Sequence, residues 1–273
     1  MSDNDKSIPI VFAVNGWEKA HEWLEYAIRC VRKHLGNRKI FILTDALEEA
    51  ERRGYANDKN IEVVDVVPFV RKYNLDVTEK KSWHNRPASP MMMIRLYIPF
   101  IPQLEEYGKV LYMDIDTEIV DDAFGTIFDI PIPDVMIAGV LDQRNSDLRR
   151  EAYSRKCRKF IWRNGLGYHD CYKRLQEKIY INSGVMLMNT ELMRKNGPSP
   201  YTIANLVKLS MNDNLNNVFD QDIINSVYSI RVIQSSFNTF KASHQKGKPV
   251  WCLHHVSSGK LKCYPFLHKE DFA

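Results

Sequence analysis

Short apolar runs, each of a length that suits one buried strand, alternate with helix-type patterns along the chain. The predicted strands are, in order, 8–14, 39–44, 61–67, 109–113, 135–140, 181–188 and 250–256. Between the first two runs, apolar residues recur at helical spacing from Trp17 to Leu35. Ser89-Pro90 predicts another helix start, because a capping hydroxyl precedes a proline at the first helical position. This alternation predicts an α/β protein, with a mostly parallel central sheet that helices cover on both faces.

Two aspartates follow directly after the predicted strand 109–113. In extended chain, the two-residue period places Asp114 and Asp116 on the same side. Two carboxylates at that spacing can share a hard divalent cation, which would neutralise a diphosphate as it leaves. Glu118 continues the same register, so a merely polar strand face is the alternative. Ligands of parallel α/β sheets bind at the carboxyl ends of the strands, which favours the cation site.

Two later segments carry polar residues of the kind that bind sugars. Tyr180–Asn189 reads as a hydrophobic strand interrupted by a small polar turn, Asn182-Ser183-Gly184, in which the glycine permits close approach to a ligand. Phe219–Asn225 reads FDQDIIN, where three polar side chains open a predicted helix. For Asp220, the first of them, a helix N-cap is the local alternative.

Two adjacent histidines lie at the end of the last predicted strand. Residues 251–262 read WCLHHVSSGKLK, so that Lys260 follows His254 by six residues. A single histidine is more often structural than a ligand. A histidine followed by a lysine at a strand end could instead complete a site for a metal and a diphosphate.

Composition is that of an ordinary globular protein, with 273 residues, 44% hydrophobic and 26% charged. No repeat or linker is visible, so we predict a single domain over 1–273. The net charge of +4 is too small for a nucleic-acid footprint, and no nucleic-acid partner is expected.

The stretch 143–180 differs from the rest because it is strongly basic and rich in aromatic residues. One interpretation is a pair of solvated helices. The other is a basic insertion, hinged at Gly165 and Gly167, that covers an anionic ligand near the active site. Its aromatic side chains could also face an acceptor or a membrane surface, as in a peripheral membrane protein.

The start of the chain and its cysteines predict a reduced, cytoplasmic compartment. Two aspartates and no basic segment precede the first apolar run, which is unlike a secretion signal. No apolar stretch approaches the 18 or so residues of a membrane span. The five cysteines are odd in number and show no CxxC spacing, so neither structural disulfides nor zinc is expected.

Taken together and in this order, the four polar segments resemble the family 8 glycosyltransferases, which are retaining enzymes that use nucleotide-diphosphate sugars. The likeness runs from about Ile8 to Lys262 and is strongest to the lipooligosaccharide galactosyl- and glucosyltransferases of that family. The resemblance implies a GT-A type fold, Mn²⁺ or Mg²⁺ as cofactor, and a UDP-sugar as donor substrate. It also implies transfer of a hexose to a glycan or lipid-linked acceptor.

The resemblance assigns the metal and diphosphate ligands. The Asp-x-Asp of the family falls on Asp114 and Asp116, and its histidine ligand falls best on His254. The histidine-to-lysine interval of the family then makes Lys260 a ligand of the diphosphate. Because the family has glycine where this chain has Ser257, His255 stays open as the alternative third ligand.

The resemblance also assigns residues around the sugar. Arg95 would contact the donor phosphate or sugar, and Asp142 and Asn182 would bind the sugar. The Asp-Gln-Asp triplet of the family falls on Asp220, Gln221 and Asp222 around the reacting carbon. Since Gln221 lies nearest that carbon in the family and an amide is a poor nucleophile, front-face displacement is favoured over a covalent adduct.

The residues that the resemblance assigns to the nucleoside of the donor depart from the family pattern. Ala13 matches a residue that binds uracil and ribose, but the aspartate usual two positions later is Asn15 here. Trp17 could stack on the base or pack into the core of its helix.

Two other functions remain open. A sugar-nucleotide pyrophosphorylase would show a glycine-rich basic loop after the first strand, where this chain has VNGWEKAHEW. A non-catalytic sugar-nucleotide or glycan-binding module would be expected to lack one aspartate of the pair.

Overall fold

A seven-stranded sheet organises the part of the chain that the computed structural model describes, namely residues 8–74, 90–142, 179–212, 219–240 and 247–255. In chain order its strands are β1 (Ile10–Val14), β2 (Ile40–Thr44), β3 (Ile61–Asp65), β4 (Val110–Met113), β6 (Ile137–Leu141), β7 (Ile181–Met188) and β8 (Ile230–Ile233). A smaller sheet contains β5 (Thr117–Ile119), β9 (Thr239–Phe240) and β10 (Cys252–His254).

The strand order in the large sheet is β3-β2-β1-β4-β7-β6-β8. All neighbouring pairs are parallel except those of β7, which runs antiparallel to both β4 and β6. The chain adds β2 and β3 on one side of β1 and β4 on the other, so the strand order reverses there. In open α/β sheets, ligands bind at such a reversal, beyond the carboxyl ends of the strands.

Helices cover both faces of the sheet, as the alternating pattern predicted. They are α1 (Glu18–Leu35), α2 (Leu47–Arg52), α3 (Val67–Tyr73), α4 (Met91–Ile94), α5 (Thr190–Asn196), α6 (Pro200–Asn212) and α7 (Phe219–Val227), with 3₁₀ turns at Tyr55–Asn57, Arg95–Phe100, Pro102–Leu104, Asp122–Asp129 and Ser235–Phe237. Strand β1 shows why two cores form: Val11 packs into one hydrophobic cluster, whereas Phe12 and Val14 pack into the other. Adjacent side chains of a strand point to opposite faces, so a continuous apolar run serves both cores.

Two details of the predicted backbone are wrong. Residues 182–184 do not form a turn; they belong to β7, and the polar side chains lie where this strand separates from β6. The pairing register shifts there, with Gly139 opposite Met186 but Leu141 opposite Ile181. Trp17 is not part of the helix core, since it precedes α1 and is 37% exposed.

Other predicted features lie outside the described residues. They include Ser89, the basic stretch up to residue 178 with both of its glycine hinges, and Lys260. Within the described part of the chain, no helix is both long and apolar enough to cross a membrane.

Candidate active site

Four strand ends bring the predicted polar residues to one edge of the large sheet. Asn15 follows β1, Asp114 follows β4 and Asp142 follows β6. Because β7 runs in the opposite direction, it begins where the others end, and Asn182 at its start reaches the same edge. The antiparallel strand therefore contributes to the site through its first residues rather than its last.

Asp114 and Asp116 meet through a tight turn and not through the extended spacing that the sequence suggested. The backbone N–H of Thr117 donates to the carbonyl oxygen of Asp114 at 3.2 Å, and the Thr117 hydroxyl donates to the same oxygen at 2.6 Å. The turn leads from β4 of the large sheet into β5 of the small one. Both carboxylates are thus held at the junction of the two sheets.

His254 joins this pair because β10 lies against β5 in the small sheet. Its Nε2 atom is 3.2 Å from Oδ1 of Asp116 and 3.7 Å from Oδ2 of Asp114. The neighbouring His255 has a different partner, since its Nε2 lies 2.8 Å from Oε2 of Glu118. Glu118 in turn accepts a hydrogen bond from Tyr26 on α1, so the His255 ring faces α1 and not the aspartate pair.

Gly184 makes room for the His254 ring. A Cβ atom added at this position would lie 2.2 Å from Cε1 of His254 and 2.7 Å from its Nδ1. Real Cβ atoms do not approach other atoms so closely. The sequence pattern suggested that this glycine lets a ligand approach the backbone, whereas in the structure it lets a neighbouring side chain do so.

The donor set fits a divalent cation. The nearest ligand atoms of Asp114, Asp116 and His254 all lie within 4.8 Å of one another. Adjacent ligands of a six-coordinate Mg²⁺ at about 2.1 Å would themselves lie about 3 Å apart, close to the 3.2 and 3.7 Å that separate Nε2 of His254 from the two carboxylates. Burial alone would raise the pKa of the Asp116 carboxyl, but attraction to His254 and a hydrogen bond to its ring outweigh it, and the pKa lies below its ordinary value. The carboxylate is therefore ionised at neutral pH.

Arg95 lies behind the aspartate pair and balances part of its charge. Its Nη1 is 2.9 Å from Oδ1 of Asp114, and its Nε is 3.1 Å from Oδ2 of Asp220. The guanidinium also lies over the Tyr112 ring, whose hydroxyl donates to Asp114 at 2.7 Å. Burial raises the pKa of Asp220 above its ordinary value, with Arg95 opposing that shift. Arg95 thus connects the start of α7 to the predicted metal site.

Gln221 is hydrogen-bonded at both ends of its amide group. Its Oε1 accepts from Nδ2 of Asn182 at 3.0 Å and from the backbone N–H of Ser183 at 3.1 Å. Its Nε2 donates to Oδ2 of Asp142 at 2.6 Å. Asp222, the last residue of the triplet, accepts a hydrogen bond from Tyr180. Asn182, Gln221 and Asp142 therefore belong to one buried network.

The residues predicted to bind the nucleoside lie in β1 and directly after it. Oδ1 of Asn15 accepts from the backbone N–H of Trp17 at 3.2 Å, which shapes the turn into α1. The exposed Trp17 ring packs edge-to-face on Trp23, with centroids 5.6 Å apart. Ala13 is partly buried within β1. Ala13, Asn15 and Trp17 therefore lie toward the same edge of the sheet as Asp114.

The sequence did not predict the residues that orient the side chains of His254, Asp114 and Asp222. Asn238 is fully buried between β9 and the 3₁₀ turn before it, with Oδ1 3.1 Å from Nδ1 of His254. Tyr112 and Tyr180 hold Asp114 and Asp222. Asn238 belongs to no motif, and the two tyrosines read as parts of apolar strands. Only their proximity in the fold reveals their role.

The chain was compared with family profiles, curated sequences and solved structures of known proteins. Residues 21–254 match the profile described as Glycosyl transferase family 8, whereas no curated protein matches the sequence significantly. The galactosyltransferase LgtC, solved with donor and acceptor sugar analogs, aligns with a TM-score of 0.63 at 20% identity over 92% of this chain and 88% of that one. Mouse xyloside xylosyltransferase 1 aligns with a TM-score of 0.57 at 14% identity over 92% and 98% of the two chains. These similarities establish the predicted GT-A fold.

Proposed function

The chain belongs to glycosyl transferase family 8, and from that premise we propose that this glycosyltransferase moves a hexose from a UDP-sugar to a hydroxyl group of a glycan or lipid-linked acceptor, with retention of configuration. The observation that carries the proposal is the meeting of Asp114, Asp116 and His254 at the sheet edge that also carries Gln221 and Asp142. A site for a cation and a site for a sugar hydroxyl would thus adjoin one another, as transfer from a diphosphate sugar requires.

We assign the metal to the three clustered side chains, with Mn²⁺ or Mg²⁺ as the ion. When bound, such an ion neutralises the diphosphate and stabilises the negative charge that develops as it departs. The ionised Asp116 and the neighbouring Asp114 supply the charge that attracts the cation. His254 is the third ligand in this proposal, and His255, held by Glu118, is not.

The hydrogen bonds of the triplet support front-face displacement. A covalent adduct needs a free carboxylate or nucleophile beside the anomeric carbon. Gln221 is held through both ends of its amide, Asp220 pairs with Arg95, and Asp222 accepts from Tyr180. In the proposed step the acceptor oxygen bonds to the anomeric carbon as the bond from that carbon to the phosphate oxygen breaks. The departing phosphate oxygen takes the acceptor proton, and the protein positions both groups.

The remaining assignments follow the family pattern. Ala13 and Asn15 would bind the uracil and ribose, with Trp17 exposed beside them. Arg95, Asp142 and Asn182 would orient the sugar and its phosphate. Lys260 would bind the diphosphate, and the single domain would act in the cytoplasm or at a membrane surface.

The family match favours glycosyl transfer over the two other functions. A non-catalytic module would have no need of the complete acidic pair, and both aspartates are present beside His254. A pyrophosphorylase would need a glycine-rich basic loop after β1, where this chain has the Asn15 turn.

A panel of nucleotide sugars tests the proposal directly. The purified protein is incubated with UDP-, GDP- and ADP-sugars and Mn²⁺, and release of the nucleoside diphosphate is measured. We expect hydrolysis of a UDP-hexose that a chelator abolishes and that added Mn²⁺ restores. Turnover that persists in full with chelator, or turnover of no nucleotide sugar at all, would contradict the proposal.

Three variants assign the metal ligands in the same assay. Asp116→Asn and His254→Ala should each reduce turnover by at least about 10²-fold, because each removes a group that stabilises the departing charge. His255→Ala is the matched control, since its ring contacts Glu118 and not the aspartates. A greater loss in His255→Ala than in His254→Ala would transfer the third ligand to His255.

A further inference from the structure

We infer that Asn238 is a positioning residue, which fixes the tautomer of His254 and links the metal ligands to Gln221 and Asp142 through a directed chain of buried amides. The inference rests on the proposed metal and sugar roles of this site. It goes beyond them in assigning a function to a residue that touches neither ligand. Asn238 is itself 0% exposed and lies between the two subsites.

The orientation of the Asn182 amide is set by the backbone. The N–H of Gly184 can only donate, and it lies 2.9 Å from one end of the Asn182 amide, which must therefore be the oxygen. That oxygen is also 2.9 Å from the nearest amide atom of Asn238. Since two oxygens would repel each other, Asn238 presents its Nδ2 to Asn182 and its Oδ1 to His254.

The tautomer of His254 follows from that orientation. Nδ1 of His254 lies 3.1 Å from Oδ1 of Asn238, an acceptor, so Nδ1 must carry the proton. When a cation replaces the proton through which Nε2 bonds Asp116, the lone pair of the ring is on Nε2, which faces Asp114 and Asp116. The lone pair of Nε2 and the two carboxylates would repel one another unless a cation lay between them. Metal-bound histidines are commonly oriented in this way through their other ring nitrogen.

The series of hydrogen bonds continues from Asn182 to Gln221 and Asp142, the residues proposed to bind the sugar. Nδ2 of Asn182 donates to Oε1 of Gln221, which also accepts from the backbone N–H of Ser183 and is thereby identified as the oxygen. Nε2 of Gln221 then donates to the Asp142 carboxylate. Every hydrogen bond from His254 to Asp142 thus points the same way. Such bonds strengthen one another, so a cation on Nε2 favours the orientation in which Gln221 faces the sugar.

Asn238→Leu tests the inference through metal affinity, which needs neither donor nor acceptor. Leucine has a similar shape but cannot accept from His254. We expect Mn²⁺, titrated alone and followed by the paramagnetic resonance of the free ion, to bind about 10–100-fold more weakly than to the wild type.

Asn189→Leu is the matched control. Asn189 is also a buried asparagine with one accepted and one donated hydrogen bond, to Leu192 N–H and the Ile132 carbonyl, but it follows the opposite end of β7. It should lose stability without losing Mn²⁺ affinity. If Asn238→Leu binds Mn²⁺ like the wild type, or no more weakly than Asn189→Leu does, the inference is wrong.

The tautomer itself is measured by ¹⁵N NMR of histidine-labelled protein at a fixed concentration of diamagnetic Mg²⁺ that saturates the wild type, with His254→Gln used to assign the signal. The wild type should show the Nδ1–H form of His254, and Asn238→Leu should not. An Nε2–H form in the wild type would overturn the inference. Neither measurement depends on turnover, so a failed nucleotide-sugar panel would contradict the proposed function alone.

Asn238→Asp tests the two hydrogen bonds of Asn238 separately, namely the one to His254 and the one to Asn182. It also replaces Asn238→Leu if that variant does not fold. A carboxylate can accept from Nδ1 of His254 but cannot donate to Asn182. We expect Mn²⁺ affinity and the Nδ1–H form to be kept, while kcat falls because Gln221 loses its connection. Loss of the Nδ1–H form in folded Asn238→Asp would contradict the inference.

Discussion

Gly184 sets the distance between strand β7 and the His254 ring. In Gly184→Ala, the new methyl group would overlap Cε1 and Nδ1 of His254 and would lie 2.9 Å from Oδ1 of Asn182. The ring must then move away from Asp116, because the backbone on the other side of the contact belongs to a central strand. We expect Mn²⁺ affinity and turnover to fall by at least about 10-fold.

The control for this prediction is Gly125→Ala, where the new Cβ would meet Leu35 at an ordinary distance of 3.5 Å. Thermal unfolding of both variants separates a local displacement from a general loss of stability. Gly184→Ala with unchanged Mn²⁺ affinity would show that His254 does not depend on this close approach.

Individual residues were predictable where chemistry repeats in a motif. Asp114, Asp116 and His254 could be proposed from an Asp-x-Asp after a strand and a histidine before a lysine, and the structure brings them together. Asn238 could not, because a single asparagine among serines and aromatics carries no pattern. Its role depends on an orientation that the backbone N–H of Gly184 imposes through Asn182, and that N–H belongs to a different strand.

At the scale of elements, α1 is joined to the turn at Tyr55–Asn57 through a buried histidine. His21 stacks on Tyr55, with ring centroids 5.9 Å apart and Nδ1 3.2 Å from the Tyr55 hydroxyl. Burial, with a smaller effect of Arg53, lowers the pKa of His21 from its ordinary 6.5. As the pH falls below 6.5, the unfolded chain therefore takes up a proton that the folded chain does not.

The free energy of unfolding should consequently decrease as the pH falls from 6.5 to the lowered pKa of His21, and this contribution should be constant above 6.5. His21→Phe keeps the aromatic stacking and should flatten the profile in that range, as measured by urea unfolding at a series of pH values. His34→Gln on the same helix should leave the His21 contribution in place. Parallel profiles for wild type and His21→Phe would contradict this account.

The elements themselves were predictable to the extent that each contains a long apolar run. All seven predicted strands are present, and 181–188 has the predicted bounds. The direction of β7 was not predictable, since an apolar run has the same composition in either sense. The short strands β5, β8 and β9 were also missed, because two to four residues cannot show a period. Yet β7 and the small sheet are what bring Asn182 and His254 to the site.

For the whole molecule, ligand binding should raise the stability of the fold. The proposed site joins residues of both sheets, so UDP with Mn²⁺ would bind the folded chain and not the unfolded one. At a ligand concentration about 100 times the Kd, the gain is about 2.7 kcal/mol, or roughly 5–10 °C in Tm. We expect Mn²⁺ and UDP together to raise the Tm measured by calorimetry.

Chelation should remove most of this gain, and Asp116→Asn should show little of it in any condition. Uridine without phosphate is the control ligand, because it carries no group for the cation. An equal increase in Tm with UDP in the presence and absence of chelator would separate nucleotide binding from the metal ligands.

The small sheet has a consequence for the order in which the molecule folds. Strands β1, β2 and β3 all lie within the first quarter of the chain and can pair early, whereas Thr117 pairs with His254 from near the end of the described residues. Contacts between residues so distant in sequence form late, because closing the intervening loop costs entropy before any contact repays it. We therefore expect the proposed active site to be completed after the transition state for folding. A ligand that holds β10 in place would slow the escape from the native state and leave the rate of folding almost unchanged.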